Sequence, residues 1–221
     1  YIPEVLLNFL ALLGWSPGEN IEKMSMEEMV QRFSVEGIGK SNAKFDRAKL
    51  LAFNTDYCAA APVEKLLPAF RDFLLVNPDS PLNLATDEQL AKLIDMKRGF
   101  HTFRDLDDKS RFLLMRDDEI TLDPSAVEKV LRKNDAQGLK ALTDLRPILE
   151  SITEWKHTVI EAAVNNYCAK TNLGLGKVAQ PIRVAISGGT ISPPIFETLE
   201  FLGKSSTLRR IDRCLAQVGS C

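Results

Sequence analysis

Three arginines near the end of the chain, Arg209, Arg210 and Arg213, stand at i, i+1 and i+4 in the stretch LRRIDRCLA. On a helix this spacing gathers their guanidinium groups on the side opposite Leu208, Ile211 and Leu215. Arginine holds phosphate by charge and can hydrogen-bond or stack on an unpaired base, so the pattern fits a surface that faces RNA. Lys204 lies just before this helix, and Lys177 and Arg183 lie on the helical segment that precedes it. Upstream, Lys97, Arg98, Arg104 and Arg111 recur around a short loop. The alternative is a solvated face whose arginines pair with Glu197, Glu200 and Asp212, and spacing alone does not separate the two.

The sequence offers no comparable constellation for catalysis. It contains no GxGxxG, no P-loop, and no His-x-x-x-His or Glu-x-x-His pair. His101 and His157 lie far apart, and each is expected to be a surface or hydrogen-bonded histidine. Ser187-Gly188-Gly189-Thr190 has the composition of a phosphate-cradling loop, and equally that of a helix C-cap followed by a turn. Asp117-Asp118-Glu119 is either a cation-binding cluster or a solvated turn. The cysteines at 58, 168, 214 and 221 form no CxxC pair and have two histidines for company, which argues against zinc and for reduced cytosolic thiols.

Composition narrows the class. Apolar residues make up 45% of the 221 and charged residues 26%, as in an ordinary globular protein of one or two domains. A net charge of −2 excludes a histone-like polybasic binder, though not a basic face on an acidic body. The longest apolar run, VLLNFLALLGW, is too short to span a bilayer and lacks the basic start and cleavage site of a signal peptide. The chain opens at Tyr1 directly into an amphipathic helix, so a piece of a longer protein is expected, with N-terminal processing as the alternative.

The elements that must position the basic residues are helices, and an all-α fold is expected. Val5, Leu6, Phe9, Leu12 and Leu13 mark a helix over 3–13, closed by Gly14. Ser25 and Glu28 form a capping box before 26–33, and Thr86 and Gln89 form another before 87–97. Ser41 is a start signal for the segment 40–54, and Pro62 begins a helix to about 75. Helices are further expected over 104–115 and 124–133, and over 136–149 with a break or bend near Pro147. Thr153 is expected to cap 154–170, whose stripe is Trp155, Val159, Ala163 and Tyr167. A helix over 177–187 carries Pro181; Ser192 is expected to cap 193–202, and Ser205 or Ser206 the last helix. Boundaries fall near 60 and, less sharply, near 150.

At this point the residues carry a resemblance. The stretch KVAQPIRVAISGGTISPPIFETLEFLGKSSTLRRID, at 177–212, resembles the C-terminal end of bacterial-type glutamyl-tRNA synthetases. There the pattern runs G-x-V-x-x-P-x-R-x-A-[LVI]-[TS]-G, then SPP, then LLGK and an R-R-I/L tail. YIPEVLLNFLALLGWSPG at 1–18 is similar to the segment after the second ATP-binding loop of those enzymes. KSNAKFDRAKLLAFN at 40–54 is similar to the stretch that follows, with Ala52-Phe53 in place of Trp-Leu. The motifs keep the family's order, while 60–150 adds little.

The resemblance implies a class I catalytic domain upstream, a stem-contact helical region at 1–60, and a helical anticodon-binding cage in two subdomains, 61–150 and 151–221. The HIGH and KMSK motifs that bind ATP are absent. Lys23-Met24-Ser25-Met26 departs from KMSK at its fourth position and follows the LLNFLALLGW segment instead of preceding it. No glutamate activation by this chain alone is therefore implied, and ATP and magnesium belong to the catalytic part. The implied partner is the tRNA for glutamate, bound by a cytoplasmic monomer, with no DNA or membrane. Arg183 corresponds to the family's anticodon-contacting arginine after the proline. Ser192 and Ile195 correspond to the polar and apolar residues of the SPP turn that lie near anticodon bases. The arginine associated with the third anticodon base corresponds to Arg98, or to Arg104 in a second alignment. Asn165 and Asn166 stand where a further basic contact is found in relatives. Lys177, Lys204, Arg209, Arg210 and Arg213 are expected at the tRNA backbone, and Lys40, Lys44 and Lys49 at the phosphates of the stem. A helical protein–protein module that binds no tRNA is the alternative.

Overall fold

The computed structural model describes residues 1–39, 44–96 and 99–219. Lys40, Ser41 and Arg98, each given a role above, lie outside the described residues. Helix makes up 71% of the chain. The strand-like pairing found among the described residues is an isolated bridge between Trp15 and Ile38. The fold is all-α, as the apolar periodicity requires. No helix among the described residues is long and apolar enough to cross a membrane. The chain forms two compact units, Tyr1–Asp108 and Lys109–Cys221, so the boundaries expected near 60 and 150 each fall inside a unit.

The first unit contains α1 (Pro3–Gly14), α2 (Met26–Arg32), α3 (Arg47–Ala60), α4 (Val63–Leu75), α5 (Asp87–Met96) and most of α6 (Phe103–Ser110). Both capping boxes form: Ser25 Oγ accepts from the Glu28 N–H while Glu28 accepts from the Ser25 N–H, and Thr86 and Gln89 reciprocate in the same way. Helix α3 begins later than the start signal at Ser41 implied, because Asp46 accepts from the N–H groups of Ala48 and Lys49 and sets the first turn there. Asn54, buried on α3, ties three segments together. Its Oδ1 accepts from the Ile2 N–H at 2.8 Å and its Nδ2 donates to the His101 carbonyl at 2.6 Å. The rings of Phe70, Phe73, Phe100 and Phe103 pack in sequence, with centroids 5.3–6.0 Å apart.

The second unit begins with a single turn at 111–113. A helical run then opens as α7 (Pro124–Ala126), widens into a π-helical stretch at Val127–Arg132, and continues as α8 (Lys133–Ser151). It is followed by α9 (His157–Thr171), α10 (Leu175–Ser187), α11 (Ile195–Leu202) and α12 (Lys204–Gly219). The run breaks at Asn134, Asp135 and Ala136, whose φ values of 54°, 55° and 58° are left-handed. The break is not at Pro147, where it was expected. Proline there removes one ladder hydrogen bond, but Leu142, Leu145 and Leu149 on either side are fully buried and hold the helix on course. After the break α8 folds back so closely that a Cβ at Gly138 would lie 2.2 Å from the Val130 carbonyl oxygen. Helix α9 starts at His157 without help from Thr153; the Glu200 carboxylate of α11 accepts from the His157 N–H at 2.6 Å and serves as the cap. At the middle lies α10, where Val178, Ala179, Pro181, Ile182, Val184, Ala185 and Ile186 are all buried.

Candidate nucleic-acid interface

The arginines of α12 are where the spacing put them, on one helix, but they meet different surroundings: Arg209 is exposed, Arg213 half-buried and Arg210 buried. Arg210 is 2% exposed. Its Nε donates to Asp117 at 2.7 Å, and its terminal nitrogens donate to the carbonyls of Phe112, Ile186 and Met115 at 2.8–2.9 Å. Arg213 donates to the carbonyls of Asp117 and Ile120. Arg209 holds the other oxygen of Asp117 and the hydroxyls of Ser205 and Ser206. These two serines lie inside α12 and do not cap it. The irregular segment 112–120 exposes carbonyls that no helix ladder satisfies, and the arginine forks supply the missing donors. Arg210 is therefore corrected from a backbone contact to an internal brace, while Arg213 and Lys204, which donates to the Ile152 carbonyl at 2.7 Å, spend donors inside the unit and stay half-exposed. The acid that pairs with this face is Asp117, not Glu197, Glu200 or Asp212. Asp212 instead accepts from Nε and one terminal nitrogen of Arg146, at 2.8 and 3.0 Å. Asp117 is thus neither a cation ligand nor a solvated turn residue.

A pH dependence follows from this lock. Burial pushes the Asp117 carboxyl up, but the hydrogen bonds and charges of Arg210 and Arg209 outweigh it and hold the group below the usual carboxylate value. A depressed folded-state value gives stability that is complete above the unfolded value, about pH 4, and is lost as pH falls through the folded value. Urea midpoints of the chain are expected to hold down to about pH 4 and fall below it, and the Asp117→Asn variant is expected to show a shallower fall.

The Ser187–Thr190 loop is a helix C-cap. Gly188 adopts φ 82°, its N–H donates to the Val184 carbonyl, and a Cβ there would sit 2.1 Å from the Thr121 carbonyl oxygen, so no phosphate cradle exists. Beyond it, Ser192 does not cap α11, which begins at Ile195 with Pro194 before it. The hydroxyl of Ser192 donates to the Pro193 carbonyl at 2.7 Å and accepts from Arg183 Nε at 2.8 Å. This bond fixes the arginine on one edge of its fork. Arg183 is half-buried, and burial depresses its pKa without an acid to offset it. Among the described residues its two terminal nitrogens have no hydrogen-bond or ion-pair partner. Ile195 is 7% exposed and presents little to a base, whereas Ile191, one residue before Ser192, is 63% exposed. Sequence reading missed Ile191 and also Gln180, whose Oε1 is buried without a partner. The signal for Gln180 was its position three residues from both Lys177 and Arg183 on α10.

In the first unit, Arg104 donates to Asn77 and lies 5.3 Å over the Phe73 ring, with Asp107 3.7 Å away. Its side chain remains 54% exposed. Lys49 pairs with Glu22 at 2.5 Å and lies over Phe53, so its charge is already countered. Lys44 and Lys177 are exposed and in no ion pair among the described residues. His101 and His157 are partnered, to Thr55 and Glu200. Burial pushes the Cys58 thiol up to about 12 and the Cys214 thiol up to about 11, which makes both inert. No group of three or more acidic, histidine or cysteine side chains that could hold a metal occurs among the described residues.

Arg183, Ser192 and Ile191 thus bring a fixed guanidinium, a hydroxyl and an exposed apolar side chain together in the stretch around the start of α11. The chain belongs to the anticodon binding domain family, whose model matches residues 63–215. It is 34% identical over 97% of its length to a glutamate–tRNA ligase of Thermodesulfovibrio yellowstonii, and 38% identical over 96% to one of Afipia carboxidovorans. It spans about 45% of the length of each of these curated relatives. Among solved structures, a glutamate tRNA ligase of Elizabethkingia meningosepticum in complex with its amino acid superimposes with a TM-score of 0.82 at 26% identity, covering 99% of this chain and 42% of that one.

Proposed function

We propose that this chain is the tRNA-binding part of a glutamate–tRNA ligase, and that its second unit reads the anticodon of the glutamate tRNA. The observation that carries the reading is the half-buried Arg183, gripped by Ser192 on one edge and, among the described residues, without a partner for its terminal nitrogens. A charge desolvated in this way is unfavourable until an acceptor arrives, so the site favours a ligand that brings one. A splayed anticodon base offers such acceptors on its edge, and Ile191 beside the site offers an apolar surface for its face. Family membership and the ligase relatives support the same reading. In this proposal the chain alone does not activate glutamate. ATP and magnesium act in the catalytic part of the longer protein, which works in the cytoplasm as a monomer.

The test is binding of the chain to a glutamate tRNA transcript and to an anticodon-swapped copy at two salt concentrations. Tighter binding to the cognate anticodon is expected, with a salt slope that counts phosphate contacts. Equal and strongly salt-dependent binding to both would reduce the site to a phosphate-holding face. Binding to neither would leave a protein-interaction module.

A further inference from the structure

Behind Arg183, toward the start of α10, lies a groove of about 210 Å³ that sequence reading did not anticipate. Its walls carry Lys129 from the π-helical stretch, Lys133 from the start of α8, and Lys177 and Gln180 from α10. All three lysines are exposed, and none forms an ion pair among the described residues. No carboxylate is among the lining residues. Three lysines that line one hollow, with no ion pair among the described residues, raise the local potential and favour an anion there. The groove is not purely cationic. Gln180 Oε1 is buried without a hydrogen-bond partner. Pro181 has no N–H to give the Lys177 carbonyl, so that carbonyl lacks its usual helical donor. The site thus combines donors for an anion with acceptors that want a hydroxyl or amide donor. A free phosphate answers the first need alone, whereas a ribose–phosphate unit answers both, its 2′-hydroxyl being a donor.

We infer that this groove holds the sugar–phosphate backbone of the bound RNA, with Lys129, Lys133 and Lys177 on phosphate and Gln180 on a ribose 2′-hydroxyl. The inference rests on the tRNA-binding reading above. It adds a contact that carries no base information and that distinguishes RNA from DNA. The left-handed break at 134–136 and the close pass at Gly138 are what bring Lys129 and Lys133 to the face of α10.

The experiment uses the full chain, a labelled RNA stem-loop bearing the glutamate anticodon, its anticodon-swapped copy, and an all-deoxy counterpart, across a salt series. Lys129→Ala combined with Lys133→Ala is expected to lower the slope of log K against log salt by about 1.4, at about 0.7 per single-strand phosphate. The ratio of cognate to swapped affinity should stay as it was. Gln180→Leu is expected to narrow the RNA-to-DNA affinity ratio about fivefold, the effect of one hydrogen bond. An unchanged slope overturns the phosphate assignment, and an unchanged RNA-to-DNA ratio overturns the ribose assignment. Cognate preference with an unchanged slope sinks this inference and leaves the anticodon reading standing. A lowered slope without cognate preference does the reverse. No RNA binding by the unaltered chain overturns both.

Discussion

Replacing Arg210 by methionine is expected to lower the unfolding free energy of the second unit by about 3–5 kcal/mol, the usual loss when one partner of a buried ion pair is removed. Four hydrogen bonds disappear at once, and the carbonyls of Phe112, Ile186 and Met115 are left beside a carboxylate, Asp117, that has lost one of its two arginine partners. A domain is commonly stable by about 5–15 kcal/mol, so much of the unit's margin goes. Arg210→Lys is expected to rescue little, because one ammonium cannot span an acid and three carbonyls in different directions. Urea titration of both variants measures the effect. An Arg210→Met chain of unchanged stability and weakened RNA binding would return this residue to the surface role its spacing first suggested.

Arg183→Ala is expected to behave in the opposite way. Cognate tRNA binding should weaken by about 1–3 kcal/mol, roughly 5- to 150-fold, while binding to an anticodon-swapped tRNA changes little. Stability should hold or rise, because the substitution removes a half-buried charge that no acid offsets. Arg183→Lys should not restore discrimination, since an ammonium lacks the planar fork that Ser192 holds by one edge. Ser192→Ala is expected to cost about fivefold, because the fork stays but is no longer fixed. Equal losses on both tRNAs would make Arg183 a phosphate contact. The pair of experiments separates two arginines of the same helical unit that local sequence treats alike.

Local chemistry was well marked along the chain. The capping boxes at Ser25 and Thr86, the Gly188 stop and the Pro181-containing helix all formed, because each depends on neighbours within a few residues. The apolar periods alone determined that the fold is helical. The motif at 177–212 pointed to the anticodon-binding family before any geometry was known. What sequence could not decide was where polar groups ended up once helices packed. Thr153 and Ser192 are good cap residues by type, yet a carboxylate from α11 caps α9, and Ser192 turns to an arginine nine positions away. Ile195 follows the family pattern but is closed into the core, and Ile191 takes the open position. The spacing of Arg209, Arg210 and Arg213 fixes that they share a side of α12, because helical periodicity is local. Which of them meets water, as Arg209 does, and which meets the segment 112–120, as Arg210 does, depends on contacts more than ninety residues apart in the chain, and those exist only after the unit has folded.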